Sequence, residues 1–138
     1  MNGEKDLDRL LKSLRARLHE DAYVFATLPD RKIPPELQPI MVFQEAEGTT
    51  LILKKSEAET RGIDHVFSCR MITLDIHSSL EAVGFIAHIA SELAARGMGV
   101  NPVSGYYHDH LFIPEGREEE AMVILRQISA DAAAMGLE

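Results

Sequence analysis

The sequence predicts an α+β fold, an antiparallel sheet carrying its helices on one face. Three observations lead there. The second half reads strand–helix–strand–strand–helix. The first half reads strand–turn–strand–strand–short helix, a degenerate copy of that plan. Along the strand segments apolar residues alternate, so one sheet face is built to be covered.

The elements follow in order. "LDRLLKSLRARL" places Leu7, Leu10, Leu11, Leu14 and Leu18 at helical spacing and predicts an amphipathic helix. "AYVFATL", residues 22–28, is a continuous apolar run of strand formers, expected inside a sheet. "PDRKIPPELQP", residues 29–39, carries four of the six prolines and predicts a loop with at most one helical turn. Residues 40–46 and 49–55 form the arms of a hairpin turning near Glu47-Gly48. "SEAETRG", residues 56–62, predicts a short helix with Ser56 as N-cap and Gly62 as its stop.

"HVFSCRMITLDI", residues 65–76, is a long strand with Ile72, Leu74 and Ile76 on one face and Cys69, Met71, Thr73 and Asp75 on the other. It can close the first half-repeat and open the second. "SSLEAVGFIAHIASELAARG" predicts a helix started by a Ser78/Glu81 capping box and ended by Gly97. Its apolar stripe is Leu80, Val83, Ile86, Ala87, Ala90, Leu93 and Ala94. Strands at 98–104 and 108–114 meet at Gly105, and a final helix begins with Glu118, Glu119 and Glu120, where its dipole favours negative charge. If Leu111 and Ile113 face the helices, His108, His110 and Phe112 face away with Cys69, Met71 and Thr73.

A chain of 138 residues makes one compact unit, or two very small ones sharing a core. We place the halves at 1–64 and 65–138. The net charge of -8 argues against a nucleic-acid backbone or an anionic membrane as main partner. A single cysteine, Cys69, excludes an intrachain disulfide and fits a reducing compartment. The N-terminal segment lacks a signal-peptide core, and no run approaches the roughly 18 apolar residues of a membrane span. These points predict a cytoplasmic protein. There is no nucleophile elbow, phosphate loop or zinc-type cysteine cluster, so no catalytic residue is assigned and no enzymatic activity or cofactor is expected.

The blocks "FQEAEGTTLIL" and "ITLDIHSSLEAVGFIAHIASELAARGMGVNPVSGYYHDHLFIP", in this element order, resemble the small tandem ACT-domain proteins. The resemblance extends over residues 7–130 and is most specific over 72–114. It implies ferredoxin-like βαββαβ units, a regulatory role, and a bound small molecule, usually an amino acid, at an interface between ACT units. A homodimer is expected. The family's ligand positions correspond here to Ile76, His77, Ser78, Ser79 and Leu80, with Gly84 on the helix and Asn101 on the facing strand. Many ACT domains place an acidic residue and Pro-Gly in that loop; this chain has His77-Ser78-Ser79 instead. Helix N-terminal N–H groups suit a carboxylate, Ser78 and Ser79 could add hydroxyl donors, and Gly84 would permit close approach. Each also has a plainer reading: Ser78 as a cap, Gly84 as packing, Asn101 as a bulge before Pro102.

"GYYHDHLFIP" holds His108 and His110 on one side of a strand, about 6–7 Å apart from the strand rise. That spacing could bind a metal with a further ligand. The ACT-like nickel-responsive regulators carry a similar His-x-His with a cysteine six residues later; here that position is Gly116. The alternatives to ligand sensing are therefore a metal-responsive module using His108 and His110, and a purely structural interaction module. A polar strand start, with Asp109 orienting one histidine or capping the hairpin, is the plainest reading of the stretch.

Overall fold

The first strand decides the layout of the N-terminal region. In the computed structural model, which describes residues 6–76 and 78–135, the leading helix α1 spans only Leu7–Lys12, and β1 runs Ala16–Leu28. The helix expected through Leu18 is thus cut short. Asp6 caps its start through Arg9 N–H at 3.1 Å, and Arg15 O accepts from Asp75 N–H at 2.6 Å, just before β1 begins and just after β4 ends. The leucine spacing misled because strand geometry serves the same burial: Ala16 and Leu18, two apart, still pack on the core that Leu10, Leu11 and Leu14 occupy.

The remaining elements are β2 (Met41–Gln44), β3 (Thr49–Lys54), α2 (Lys55–Thr60), β4 (Val66–Leu74), α3 (Phe85–Ala94), β5 (Asn101–Ser104), β6 (Asp109–Pro114) and α4 (Glu118–Met135). The strand order is β2-β3-β1-β4-β6-β5. The chain divides into two compact units, Glu20–Arg70 and the residues up to His19 together with Met71 onward. The Glu20–Arg70 unit holds four strands in the order second-third-first-fourth, the ferredoxin-like arrangement; the other has β5-β6-β4-β1, the same order with the β1 segment, first in the chain, in the fourth place. β1 and β4 each contribute one segment to either unit.

In the Glu20–Arg70 unit, β1 pairs antiparallel with β3 (Val24 opposite Leu53, Ala26 opposite Leu51), and β2 pairs with β3 up to Gln44 opposite Thr49. Val24, Ala26, Leu51 and Leu53 form its core with Ala58 of α2 and Leu37 of the proline-rich loop, which stands where a helix would be. Arg31 fixes that loop to the hairpin: its guanidinium donates to Gln44 Oε1 at 2.8 Å, Glu45 O at 2.6 Å and Ala46 O at 3.0 Å. α2 starts after Lys54, which makes no side-chain cap, so Ser56 is inside the helix and not its N-cap. Its end is as expected. Gly62 is left-handed (φ 65°), and Ile63 N–H and Gly62 N–H return to Ala58 O (2.9 Å) and Glu59 O (3.2 Å), a Schellman motif.

In the other unit, Ile72, Leu74, Leu111 and Ile113 project from the sheet into a core with Leu10 and Leu11 of α1, Phe85, Ile89 and Leu93 of α3, and Ile124, Leu125 and Ile128 of α4. This is the helix-covered face that alternation predicts. α3 is rotated from expectation: it buries Phe85, Ile89 and Leu93, whereas Leu80 (67% exposed) and Val83 (84% exposed) precede it on the surface. Gly97 ends it, with Met98 N–H returning to Leu93 O at 3.3 Å. Arg117, just before α4, donates to Arg96 O at 2.9 Å and pairs with Glu120 at 2.8 Å, satisfying a carbonyl just past the end of α3. Among the described residues, no helix is long and apolar enough to cross a membrane.

Leu111 is fully buried, so Leu111→Ala removes transfer energy and leaves a cavity. Denaturant unfolding should show a loss of about 2–5 kcal/mol, while Val123→Ala, on an exposed position of α4, stays within about 0.5 kcal/mol of wild type. Equal effects at the two positions would contradict this assignment of the core.

Candidate ligand site at the start of helix α3

After Leu74 the chain leaves the sheet and takes ten residues to reach α3. Ile76 N–H bonds Leu74 O at 2.8 Å and Ser78 N–H bonds Ile76 O at 3.1 Å. A turn follows, with Ala82 N–H to Ser79 O at 3.0 Å and Glu81 N–H to Ser79 Oγ at 3.0 Å. Gly84 then enters the left-handed region (φ 89°, ψ -8°) and occupies the N-cap position of α3. The capping box expected at Ser78/Glu81 is therefore not formed, and Gly84 precedes the helix and does not lie within it. The cause is a tertiary bond: the Ser78 hydroxyl donates to Asp109 Oδ2 at 3.1 Å, and Ser78 is buried.

Asp109 is 6% exposed. Its other oxygen accepts from the Ser104 hydroxyl at 2.5 Å, across the closing pair of the β5–β6 hairpin. A cavity of about 200 Å³ lies between these groups and the first turn of α3. Ser78, Ser79, Leu80, Gly84, Ser104 and Asp109 line it, together with Phe85, Ile86 and Ala87. Gly84 has no capping side chain, and the first N–H bonded within the helix is that of His88, to Gly84 O at 2.9 Å. The helix start thus presents unpaired N–H groups at the cavity.

Of the residues singled out in the sequence, Ser78, Ser79, Leu80 and Gly84 meet here. Asn101 is exposed, lies opposite Phe112, and is not among the lining residues. His77 lies outside the described residues. Ser104 and Asp109 were missed, although one signal was present. Asp109 has the parity of Leu111 and Ile113, so a carboxylate points to the helix-covered face and needs partners there.

The opposite face carries the histidines. Thr73, 1% exposed, lies between two of them, with His19 Nε2 at 2.7 Å and His110 Nδ1 at 2.9 Å from its Oγ1. Arg17 donates to His19 Nε2 at 3.4 Å, so that nitrogen is an acceptor. Thr73 then donates to His19 and accepts from His110 Nδ1–H. His108 turns instead to Ile76 O (Nδ1, 3.3 Å) and Asp75 (Nε2, 3.7 Å), its ring centroid 6.5 Å from that of His110. Among the described residues no group of three or more His, Cys, Asp or Glu is placed to hold a metal ion. Cys69 is fully buried and donates its thiol to Tyr23 O at 3.3 Å.

Comparison with known proteins bears on this fold and site. Models of the ACT domain match residues 2–70 and 66–127. A Vibrio cholerae protein of unknown function, possibly a transport protein, shares 36% identity, with 91% of this chain and 97% of that one covered and a TM-score of 0.79. The chain belongs to the ACT-domain family. More distant structures share the fold: an Agrobacterium tumefaciens protein (15% identity, 84% and 89% covered, TM-score 0.64) and the regulatory subunit of aspartate kinase from Thermus thermophilus (12% identity, 84% and 96% covered, TM-score 0.62). No curated protein matches the chain.

Two outcomes follow for this tandem ACT protein. Burial above all, then the positive fields of His108 and His19, lowers the His110 pKa from the usual 6.5, with Asp109 opposing. Below 6.5 the unfolded imidazole takes a proton that the folded one refuses, so stability falls as pH drops from 6.5 to the lowered folded value, then levels. His110→Gln should remove that part of the slope in unfolding curves collected between neutral and mildly acidic pH; an unchanged slope would count against the assignment. Gly84→Ala should cost about 1 kcal/mol, from the left-handed backbone alone, because the added Cβ would sit at an ordinary 3.5 Å from Leu7. Chemical denaturation reads this directly, and an unaffected midpoint would speak against Gly84 as the helix entry.

Proposed function

We propose that this tandem ACT protein is a regulatory protein that binds a small amino acid in the cavity at the start of α3 and performs no chemistry of its own. The observation that carries the reading is the polarity of that cavity. On one side lie the uncapped N–H groups of the first turn of α3, and the Ser79 hydroxyl still has its hydrogen to donate. On the other lies the Asp109 carboxylate. An amino acid's carboxylate fits the first side, by hydrogen bonding and by the helix dipole.

The site falls within the C-terminal half, residues 65–138, and Ser78, Ser79, Leu80 and Gly84 are its proposed rim, with His77 as a further ligand contact and Asn101, which does not line the cavity within one chain, as a contact made across the ACT–ACT interface. ACT domains bind small molecules in regulatory settings, and membership of the family supports the same role here. In this reading the protein is a cytoplasmic homodimer, with ligand at an ACT–ACT interface. Binding stabilises one packing of the units, and the output is a population shift passed to a partner.

A thermal-shift screen of the twenty amino acids at millimolar concentration tests the reading. A ligand at one hundred times its Kd adds about 2.7 kcal/mol, enough to raise Tm by several degrees. If none of the twenty raises Tm, amino-acid sensing is abandoned.

A further inference from the structure

We propose that Ser78, Ser104 and Asp109 form an ammonium-recognising subsite, so that the cavity selects its ligand by the amine. The inference rests on the reading of the cavity as an amino-acid site and deepens it. The hydroxyl hydrogens of Ser78 and Ser104 are both spent on Asp109, at 3.1 and 2.5 Å. What remains on these two oxygens is lone pairs. A carboxylate accepts at about four positions, and the two serines use two of them. All three residues line the cavity. Toward its interior they therefore offer acceptors only.

Charge points the same way. Asp109 is buried, and among the described residues neither Lys nor Arg forms a salt bridge with it. Two neutral hydroxyls leave its charge uncompensated, and a buried charge without a counter-charge is costly. A ligand ammonium brings three N–H donors and one positive charge. It satisfies the open acceptor positions and neutralises the site together. A second carboxylate at the same place would find no donor and would be repelled. The volume of about 200 Å³ limits the guest to a compact amino compound.

With the carboxylate pole at the α3 start, the subsite sets the polarity of the bound ligand: carboxylate toward Phe85–Ala87, ammonium toward Asp109. Asp109 is then a specificity-determining residue, and Ser78 and Ser104 hold it in place.

The test measures affinities of the whole protein by calorimetry for three matched sets. These are L-alanine, L-serine and L-valine; their deaminated counterparts propionate, 3-hydroxypropionate and isovalerate; and their decarboxylated counterparts ethylamine, ethanolamine and isobutylamine. At least one amino acid should bind about tenfold or more tightly than its deaminated acid, the loss of a charge-assisted hydrogen bond. Asp109→Asn, similar in shape and still able to bond both serines, should abolish that preference. Ser104→Val, which leaves Asp109 in place, should reduce it. The wild-type series alone decides the matter if a variant does not fold. Acids that bind as tightly as their amino acids, or a preference that survives Asp109→Asn, would overturn the subsite and leave the amino-acid reading standing. Amines that bind where these amino acids do not would uphold the subsite and count against the reading. If no compound of the three sets binds, the subsite is lost, and the screen of all twenty amino acids decides the reading.

Discussion

Side chains alternate along β6, and the candidate site depends on where that alternation sends Asp109. Leu111 and Ile113 enter the core beneath α1, α3 and α4. Two residues earlier, the same parity carries Asp109 to the edge of that face, where the helix layer begins. A carboxylate there is removed from water and has to be supplied with donors. Ser104 supplies one from the paired position on β5, and Ser78 supplies the other from the loop after β4. That loop is thereby tied to the hairpin, and α3 cannot begin until the chain has turned away from it.

The delayed start of α3 is what opens the cavity. A helix capped at Ser78 would have spent the Ser78 hydroxyl on its own backbone and filled the space with its first turn. With that hydroxyl committed to Asp109, the chain needs another entry, and Gly84 provides one through a conformation that costs glycine little. The first turn of α3 keeps its N–H groups free, and they face a carboxylate across a small volume. A local preference for capping has been traded for a tertiary bond, and the exchange leaves a polar, two-ended pocket.

The Glu20–Arg70 unit shows what the same plan becomes without that arrangement. Its connection after the first strand is the proline-rich loop and not a helix. The donors at that place belong to a side chain: Arg31 spends its guanidinium on Gln44, Glu45 and Ala46 of the hairpin. The two units thus keep one strand order and put different chemistry at corresponding positions. On the other sheet face of the larger unit, the even-numbered His110 meets Thr73 and His19, a hydrogen-bonded relay that never approaches the cavity side.

The sequence by itself determined the strand segments, the turns and helix stops at Gly62 and Gly97, and the sorting of Ile72, Leu74, Leu111 and Ile113 from Thr73, His108 and His110. Those follow from a period of two and from the left-handed freedom of glycine, which are local properties. It also drew attention to the segment 78–84 through a resemblance. Tertiary structure decided the rest. Leu14, Ala16 and Leu18 suit a helix face or a strand face alike, and only pairing within the sheet chooses the strand. Ser78 could have capped a helix, and only the buried carboxylate of Asp109, far along the chain, recruits it elsewhere. Local pattern records which residues want burial. Which partner a polar group finds once buried is a fact of the fold.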